Sequence, residues 1–235
     1  ISGIIFDPIK NEMFFGEKGK GAYLNNSRIR VSKKKILKES LLVTGGPKGA
    51  SKIKDKRWII DPIDGTFNFL NGLPHFAISI AYEEKNEIIS GIIFDPIKNE
   101  MFFGEKGKGA YLNNSRIRVS NKSDLKNTCL VTGGPKFTSE KREFIFKEYH
   151  KVSTGVRAHI RKSGSAALDL AYVAAGRYDG FWQREINYWD IAAGIILLRE
   201  SGGFISSLNG DDFTQKKIDI IATNSKIYKE LKGLL

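Results

Sequence analysis

One segment of this chain occurs twice, and the repetition limits what the chain can fold into. Residues 1–32 (ISGIIFDPIKNEMFFGEKGKGAYLNNSRIRVS) recur unchanged at 89–120, an offset of 88. The next sixteen positions, 33–48 and 121–136, agree at only ten, although both end in LVTGGPK. A structural repeat keeps its apolar pattern rather than every polar residue, and two copies are too few for a solenoid. Identity followed by sudden divergence is typical of a recent join between two related gene copies, natural or engineered.

Two identical strand sets must compete for one place in a sheet. The later copy follows directly on a strand predicted at 76–82, so closing its loop costs less entropy. We therefore predict that it takes the native position. Residues 1–48 are then a displaced duplicate of 89–136 that packs elsewhere, stays loose or is swapped into a neighbouring subunit. Residues 49–56 form a basic linker, and 57–235 the functional domain.

The positive charge is concentrated in one stretch. The 235 residues carry a formal net charge of +12, of which 33–60 supply +7 and 61–235 only +3. This Gly- and Lys-rich stretch is interpreted first as a solvated linker. The alternative is a contact with a nucleic-acid phosphate backbone, which would make RNA a partner.

Composition excludes several classes of protein. The chain is 41% hydrophobic and 27% charged, which is the balance of a globular protein. No apolar run is long enough to span a membrane, and residues 1–10 show no secretory pattern. Cys129 is the only cysteine, which excludes a disulfide framework and a cysteine zinc site. We expect a cytoplasmic location and no membrane partner.

The periodicity predicts alternating strands and helices, hence stacked α and β layers. The predicted strands are 57–61, 76–82, 87–94, 100–104, 110–112, 128–132, 178–182 and 219–223. The predicted helices are 139–152, 164–175, 189–201 and 224–231, the last with Asn224 as its cap. Three tryptophans, Trp58, Trp182 and Trp189, are interpreted as core or pocket wall.

The densest chemical pattern is DPIDGT at 61–66, directly after an apolar strand. Asp61 and Asp64 lie three apart around a proline turn, so both can point into one pocket at the sheet edge. Carboxylate and carbonyl oxygens are the ligands that Mg²⁺ prefers. Gly65 allows backbone N–H groups to approach an anion, and Thr66 opens a helix whose N-terminus attracts phosphate. The simpler reading, a turn with an aspartate cap, is less favoured for the whole hexapeptide.

A second pattern is WDIAAG at 189–194, followed by ESGG at 200–203. Asp190 on its own is equally well explained as an acid that complements the helix dipole. The small residues after it indicate close backbone packing beneath a site.

Together these segments resemble the inositol monophosphatase family of Mg²⁺-dependent, Li⁺-sensitive sugar phosphatases. The resemblance covers roughly 57–235 and rests on WIIDPIDGTFNF, GSAALDLAYVAAGRYDGFW and WDIAAGIILLRESGG. It implies an α-β-α-β-α layered sandwich whose N-terminal helical layer is missing here. It also implies hydrolysis of inositol monophosphate or a similar polyol or sugar phosphate, and homodimers are common among such proteins.

The resemblance also implies a role for each matching residue. The metal ligands would be Asp61, the carbonyl of Ile63, Asp64 and Asp190, with Asp64 bridging two Mg²⁺ ions. Gly65 and Thr66 would bind the phosphate, and Thr66 would help to orient the attacking water. The side facing the polyol would consist of Gly164, Ser165, Ala166 and Gln183.

The chain departs from the family pattern in three respects. The family places two helices and a Gly-Glu-Glu-type segment, whose Glu binds metal, before the DPIDGT strand. The duplicate stands there instead, so the upstream ligand is missing and one sheet face should be poorly covered. Neither Glu39 nor Asp55 stands in such a motif, and Gln183 replaces a carboxylate by an amide that still hydrogen-bonds a polyol.

Three hypotheses follow for the activity. The first is a Mg²⁺-dependent phosphomonoesterase that uses a metal-activated water. The second is a catalytically impaired relative that binds RNA, the transcription machinery or an acidic protein through its basic stretch. The third is a rearranged fragment without a stable function. The histidines His75, His150 and His159 are isolated and are interpreted as packing or surface residues.

Overall fold

The computed structural model describes residues 2–7, 12–25, 27–29, 56–135, 138–209, 213 and 218–235. The chain divides into two compact units, Ile1–Gly49 and Ala50–Leu235. These are the N-terminal unit and the main unit. Residues 30–55, which include the end of the duplicate and nearly all of the basic linker, lie outside the described residues.

The N-terminal unit contains one antiparallel sheet. Its four strands follow one another in the order β1-β2-β3-β4 and pair with their neighbours throughout. Their bounds are β1 Ser2–Asp7, β2 Glu12–Glu17, β3 Gly21–Leu24 and β4 Ser27–Ile29.

The main unit opens with a six-stranded antiparallel sheet in the order β10-β9-β8-β7-β6-β5. Its strands are β5 Lys56–Asp64, β6 Ala77–Glu84, β7 Glu87–Asp95, β8 Glu100–Glu105, β9 Gly109–Leu112 and β10 Ser115–Arg116. The copy at 89–120 supplies β8, β9, β10 and nearly all of β7. The pairing of β7 with β6 gives this copy the position that its short connection predicts.

A second, five-stranded sheet has the order β12-β11-β13-β15-β14. Its strands are β11 Cys129–Thr132, β12 His159–Arg161, β13 Gly180–Ile186, β14 Gly203–Ser207 and β15 Ile218–Asn224. Strand β11, second from one edge, runs parallel to both β12 and β13, whereas the other pairs are antiparallel. The short strands β12 and β14 are not predicted from the sequence.

Helices form the other layers of the main unit. They are α1 Thr66–Leu70, α2 Arg142–Gly155, α3 Ala166–Ala174, α4 Tyr188–Glu200 and α5 Tyr228–Leu234. Helices α3 and α4 contact both sheets and so lie between them, while α5 contacts β15 and α2. This is the layered α/β sandwich that the sequence predicts. None of the described helices is long and apolar enough to cross a membrane.

One face of the six-stranded sheet packs against α4, and the opposite face is partly open. Along β6 every second residue is buried and the residues between are only half-buried. On the open face Trp58 is 58% exposed and Ile60 is 54% exposed. Within the described residues no helix precedes α1, in keeping with the predicted loss of a helical layer. Trp58 is therefore not a core residue, and Trp189 is also largely exposed, whereas Trp182 is buried.

Two predicted boundaries are wrong for local reasons. Strand β13 begins later than predicted and continues to Ile186 through an irregularity in its pairing after Gln183. Asn224 ends β15 rather than capping a helix directly, because its side chain accepts hydrogen bonds from the backbone N–H groups of Lys226 and Ile227. This turn delays α5 until Tyr228.

Candidate metal centre and active site

The end of strand β5 carries the first two carboxylates. Asp61 pairs with Ser79 and Asp64 with Ala77 on β6, so β5 has one extra residue between these two positions. Such a bulge turns side chains that would otherwise lie on opposite faces of the strand. The backbone N–H of Ile63 donates to Oδ1 of Asp61 at 3.0 Å, which holds that carboxylate against the turn.

Gly65 connects β5 to α1 in a conformation that favours glycine. Its φ is 84°, and a Cβ there would lie 3.1 Å from the carbonyl oxygen of His75 and 3.2 Å from that of Gly164. Helix α1 then starts at Thr66, whose hydroxyl donates to the carbonyl of Ile63 at 2.7 Å. The DPIDGT segment is thereby folded back on itself beside the start of α3.

Asp64 is more buried than Asp61, since it is 5% exposed whereas Asp61 is half-buried. Its Oδ2 accepts hydrogen bonds from the Ser165 hydroxyl and, at 3.0 Å, from the backbone N–H of Ala167. Ser165 is itself buried and caps α3, its hydroxyl oxygen accepting from the N–H of Leu168. The Ser165 hydroxyl therefore orients Asp64, and the role of the α3 start in facing a polyol stays a prediction.

The third carboxylate comes from the first turn of α4. Oδ2 of Asp190 accepts from the backbone N–H of Asn187 at 3.1 Å and from its side-chain amide at 3.0 Å. These bonds belong to a capping box that starts the helix. Asp190 therefore stabilises the N-terminus of α4, and it also lies beside Asp61 and Asp64.

Carboxylate oxygens of Asp61, Asp64 and Asp190 all lie within 4.8 Å of one another. Burial raises the pKa of Asp64 to about 7, a rise that the bonds from Ser165 and Ala167 oppose and that repulsion from Asp190 and Asp61 increases. Burial also raises the pKa of Asp190 to about 6, and it raises the pKa of Asp61. The three groups repel one another when all are ionised.

A divalent cation fits this cluster. Three carboxylates so close together need either shared protons or a positive ion to offset their repulsion. Within the described residues Oδ1 of Asp64 makes no hydrogen bond, so that oxygen is available as a ligand. An all-oxygen donor set suits Mg²⁺ or a similar hard cation. Glu39 and Asp55 lie outside the described residues, and no fourth carboxylate joins the cluster within them.

The residues predicted to face the polyol lie on two elements. Gly164 is exposed and Ala166 half-buried at the start of α3, whereas Gln183 is half-buried on β13. A Cβ at Gly133 would lie 2.1 Å from Oε1 of the Gln183 side chain, so the amide packs directly against that glycine. Gly133 belongs to the shared LVTGGPK segment, whose relation to Gln183 the sequence does not indicate.

Two buried polar side chains, one on α1 and one on α3, are not predicted from the sequence. Asn68 is buried and its side-chain nitrogen donates to the carbonyls of His75 at 2.7 Å and Ser163 at 2.9 Å. Asp169 is also buried and accepts a hydrogen bond from the Ser163 hydroxyl. Burial raises the pKa of Asp169 well above its usual value. Asn68 stands in the DGTFNF motif and Asp169 in an apolar helix, so both were detectable as polar residues in buried surroundings.

Residues 44–235 match the sequence model of the inositol monophosphatase family. The chain belongs to this family. It is 44% identical over 179 residues to an inositol-1-monophosphatase of Rhizobium meliloti, covering 76% of the chain and 67% of that protein. It is 42% identical over 185 residues to the Nus factor SuhB of Pseudomonas aeruginosa, covering 78% and 68%. The chain thus spans about two thirds of the length of these relatives.

Solved structures of similar proteins show the same fold. The suhB protein of Bartonella henselae matches with a TM-score of 0.72 and 43% identity, over 77% of this chain and 69% of that one. The inositol monophosphatase of Anabaena matches with a TM-score of 0.70 and 37% identity, over 79% and 73%. Family membership confirms the resemblance that DPIDGT and WDIAAG indicate.

Proposed function

We propose that this chain is a Mg²⁺-dependent phosphomonoesterase that acts on inositol monophosphate or a similar phosphorylated polyol or sugar. The convergence of Asp61, Asp64 and Asp190 at the end of β5 carries the proposal. These residues, with the carbonyl of Ile63, would hold the cation. When bound, Mg²⁺ offsets the negative charge of the phosphate and makes a bound water more acidic.

The residues around the cluster position the substrate. The N–H groups at the start of α1 lack partners within the helix and can bind the phosphate beside Gly65 and Thr66. The Thr66 hydroxyl, which bonds the Ile63 carbonyl, is close enough to the metal ligands to orient a water. The open side, formed by Gly164, Ala166 and Gln183, receives the polyol, whose hydroxyls the Gln183 amide can bind as donor and acceptor.

The Ser165–Asp64 hydrogen bond fixes which carboxylate oxygen remains for the metal. Because Oδ2 accepts from Ser165 and Ala167, Asp64 would hold the ion through Oδ1. Second partners of this kind orient metal ligands and raise their affinity. Since the described residues bring together three carboxylates and not four, we expect weak Mg²⁺ binding.

Phosphate release from inositol 1-phosphate, measured as Mg²⁺ is raised into the millimolar range, tests the proposal. Asp64→Asn should lower the rate at least about a hundredfold, because it removes a ligand charge. Asp124→Asn is the matched control. Asp124 is exposed, its only described hydrogen bond comes from Lys126 N–H, and its loss should leave the rate unchanged. No release by the folded chain at any Mg²⁺ concentration would overturn the proposal.

A second candidate is a binding function. Relatives of this chain bear the name Nus factor SuhB as well as inositol-1-monophosphatase, and 33–60 carry +7 of the net charge. Binding of RNA through this stretch should weaken steeply with salt, because each phosphate contact releases counterions. Filter binding of the chain and of a variant with Lys33, Lys34 and Lys35 changed to Ala tests it. Binding that ignores salt, or that survives the triple change, would count against this function.

A further inference from the structure

The N-terminal sheet has one edge whose sequence comes from the middle of another sheet. Strand β1 (Ser2–Asp7) is identical to Ser90–Asp95 of β7, which pairs with β8 on one side and β6 on the other. β1 pairs with β2 alone among the strands of the described residues. The N–H and C=O groups that β7 uses to bind β6 are therefore presented by β1 at a sheet edge.

The other edges of the N-terminal sheet and of the six-stranded sheet carry features that discourage further pairing. β5 begins with Lys56 and Arg57, while β4 and its counterpart β10 have three and two residues and each includes an arginine. Short length and basic residues are common protections of exposed strands. β1 is six residues long (SGIIFD) and contains no Lys, Arg or Pro.

The side chains of β1 also lack the cover that their counterparts in β7 have. Ile5 is 66% exposed, whereas its counterpart Ile93 is 0% exposed beneath α4. The partners that this surface fits, β6 and α4, are already bound by 89–120 of the same chain. That copy joins β6 through the two-residue turn Lys85–Asn86, so a duplicate from the same chain or another would have to unfold the main unit to replace it.

We propose that β1 pairs antiparallel with β1 of a second copy of this chain, forming an eight-stranded sheet across a two-fold axis. An isologous contact of this kind requires a self-complementary edge. Two registers are possible, with Ile5 of one copy opposite either Ile5 or Gly3 of the other. Both place residues 3 and 5 of the two copies on the same face of the sheet, since side chains alternate along a strand. Either register brings the two exposed Ile5 side chains next to each other.

Sedimentation equilibrium of the full chain and of Ile5→Lys tests the pairing. Two like charges at adjacent positions of paired strands oppose it, so the dimer dissociation constant should rise about tenfold or more. The variant should still fold because Ile5 is exposed. If the two proteins form assemblies of the same size and the same strength, or if the parent chain is monomeric at every concentration, the proposal is overturned.

Crosslinking identifies the strand at the interface and distinguishes specific strand pairing from nonspecific association. Ile5→Cys in a Cys129→Ser background should be joined to its mate by a bismaleimide about two strand spacings long. Met13→Cys is the control, since Met13 is also exposed but lies on β2, where the two copies would be about 14 Å apart. Equal crosslinking at both positions, or none at position 5, would contradict the β1 interface.

Discussion

Residues 1–32 and 89–120 compare the same sequence in two surroundings. The pairings of β1 with β2 and of β7 with β8 have the same register, as in Ser2 opposite Glu17 and Ser90 opposite Glu105. Small details recur too. The Tyr23 hydroxyl donates to the Lys20 carbonyl at 3.0 Å, and the Tyr111 hydroxyl to the Lys108 carbonyl at 2.9 Å. The strand pattern and turns are therefore encoded locally.

Burial is what differs between the two copies. Phe102 is fully buried, but its counterpart Phe14 is only half-buried, and Ala22 is exposed where Ala110 is buried. In the main unit, Gly107 and Gly109 also donate their N–H groups to the Glu200 carboxylate of α4, each at 2.8 Å. The local sequence is enough to form the strands. The burial of the copy at 89–120 comes from its packing in the main unit, where α4 covers it.

The largest expected effect comes from truncating the same isoleucine in each copy. Ile93→Ala should cost about 2–5 kcal/mol of the free energy of unfolding, because it leaves a cavity at a fully buried site. Ile5→Ala should change it by about 0.5 kcal/mol or less. Urea unfolding followed by tryptophan fluorescence measures the main unit, since Trp58, Trp182 and Trp189 all lie there, and amide exchange in β1–β4 measures the N-terminal unit. Equal losses in the two variants would show that the packing difference has no energetic weight.

The second prediction concerns the carboxylate cluster, which only the main unit contains among the described residues. The pKa of Asp64, about 7, lies above the ordinary value of 3.8, so between these pH values the native state binds more protons than the unfolded state. The stability of the metal-free main unit should therefore fall as the pH rises from about 5 to 8, on the order of 2 kcal/mol.

Urea unfolding in a chelator at each pH measures this fall. Added Mg²⁺ should restore stability at the higher pH, and Asp64→Asn should flatten the dependence. Hydrogen exchange in β1–β4 is the internal control and should not respond to Mg²⁺. A metal-free main unit that becomes more stable as the pH rises would contradict the raised pKa values.

A third and smaller effect should follow from adding one methyl group. A Cβ at Gly91 would lie 2.8 Å from Ile196 Cγ2 and 2.9 Å from Ala193 Cα of α4, while one at Gly3 meets nothing within 4 Å. Gly91→Ala should cost about 1–3 kcal/mol, and Gly3→Ala should be neutral or slightly stabilising. Thermal unfolding of the pair checks the difference. A main unit that tolerates Gly91→Ala would show that α4 can move away from β7.

The smallest expected effect is one that should be the same in both copies. Asn25 Oδ1 accepts from the N–H of Met13 at 2.9 Å, and Asn113 Oδ1 from that of Met101 at 2.8 Å. Changing either Asn to Ala should cost its sheet about 0.5–1.5 kcal/mol. Amide exchange at Met13 and Met101 should accelerate by similar factors. A clearly larger change at Met101 would mean that this bond depends on tertiary packing.

Much of the fold could be predicted because its signals are local. Alternation gave β6 and β7 to within two residues, and the run from Gly164 to Ala175 gave α3. The prediction was weaker where a residue's role depends on distant partners. The hydrogen bond from the Ser165 hydroxyl to Asp64, which lies 101 positions earlier, was not predicted. Trp58 was interpreted as core or pocket wall, and its exposure was not predicted because an apolar strand does not reveal which layer covers it.

The candidate site shows the same division. DPIDGT and WDIAAG indicated the three carboxylates, since ligand type and motif are properties of short segments. The support from Asn68, Asp169 and Gly133 was not predicted, because it arises from contacts between separate segments of the chain. Residues 33–55 of the basic stretch, which include Glu39 and Asp55, lie outside the described residues, so their roles remain predictions.

The open space beside Gly3 and Gly16 gives the two copies different mutational freedom. Their counterparts Gly91 and Gly104 lie against α4, where a Cβ would come within 2.8 Å and 3.3 Å of helix atoms. Selection for packing should therefore remove substitutions at Gly91 and Gly104 but tolerate them at Gly3 and Gly16. From a starting point of complete identity, divergence should begin at these glycines of the N-terminal sheet. Complete identity at these glycines is therefore what a recent join of the two copies predicts.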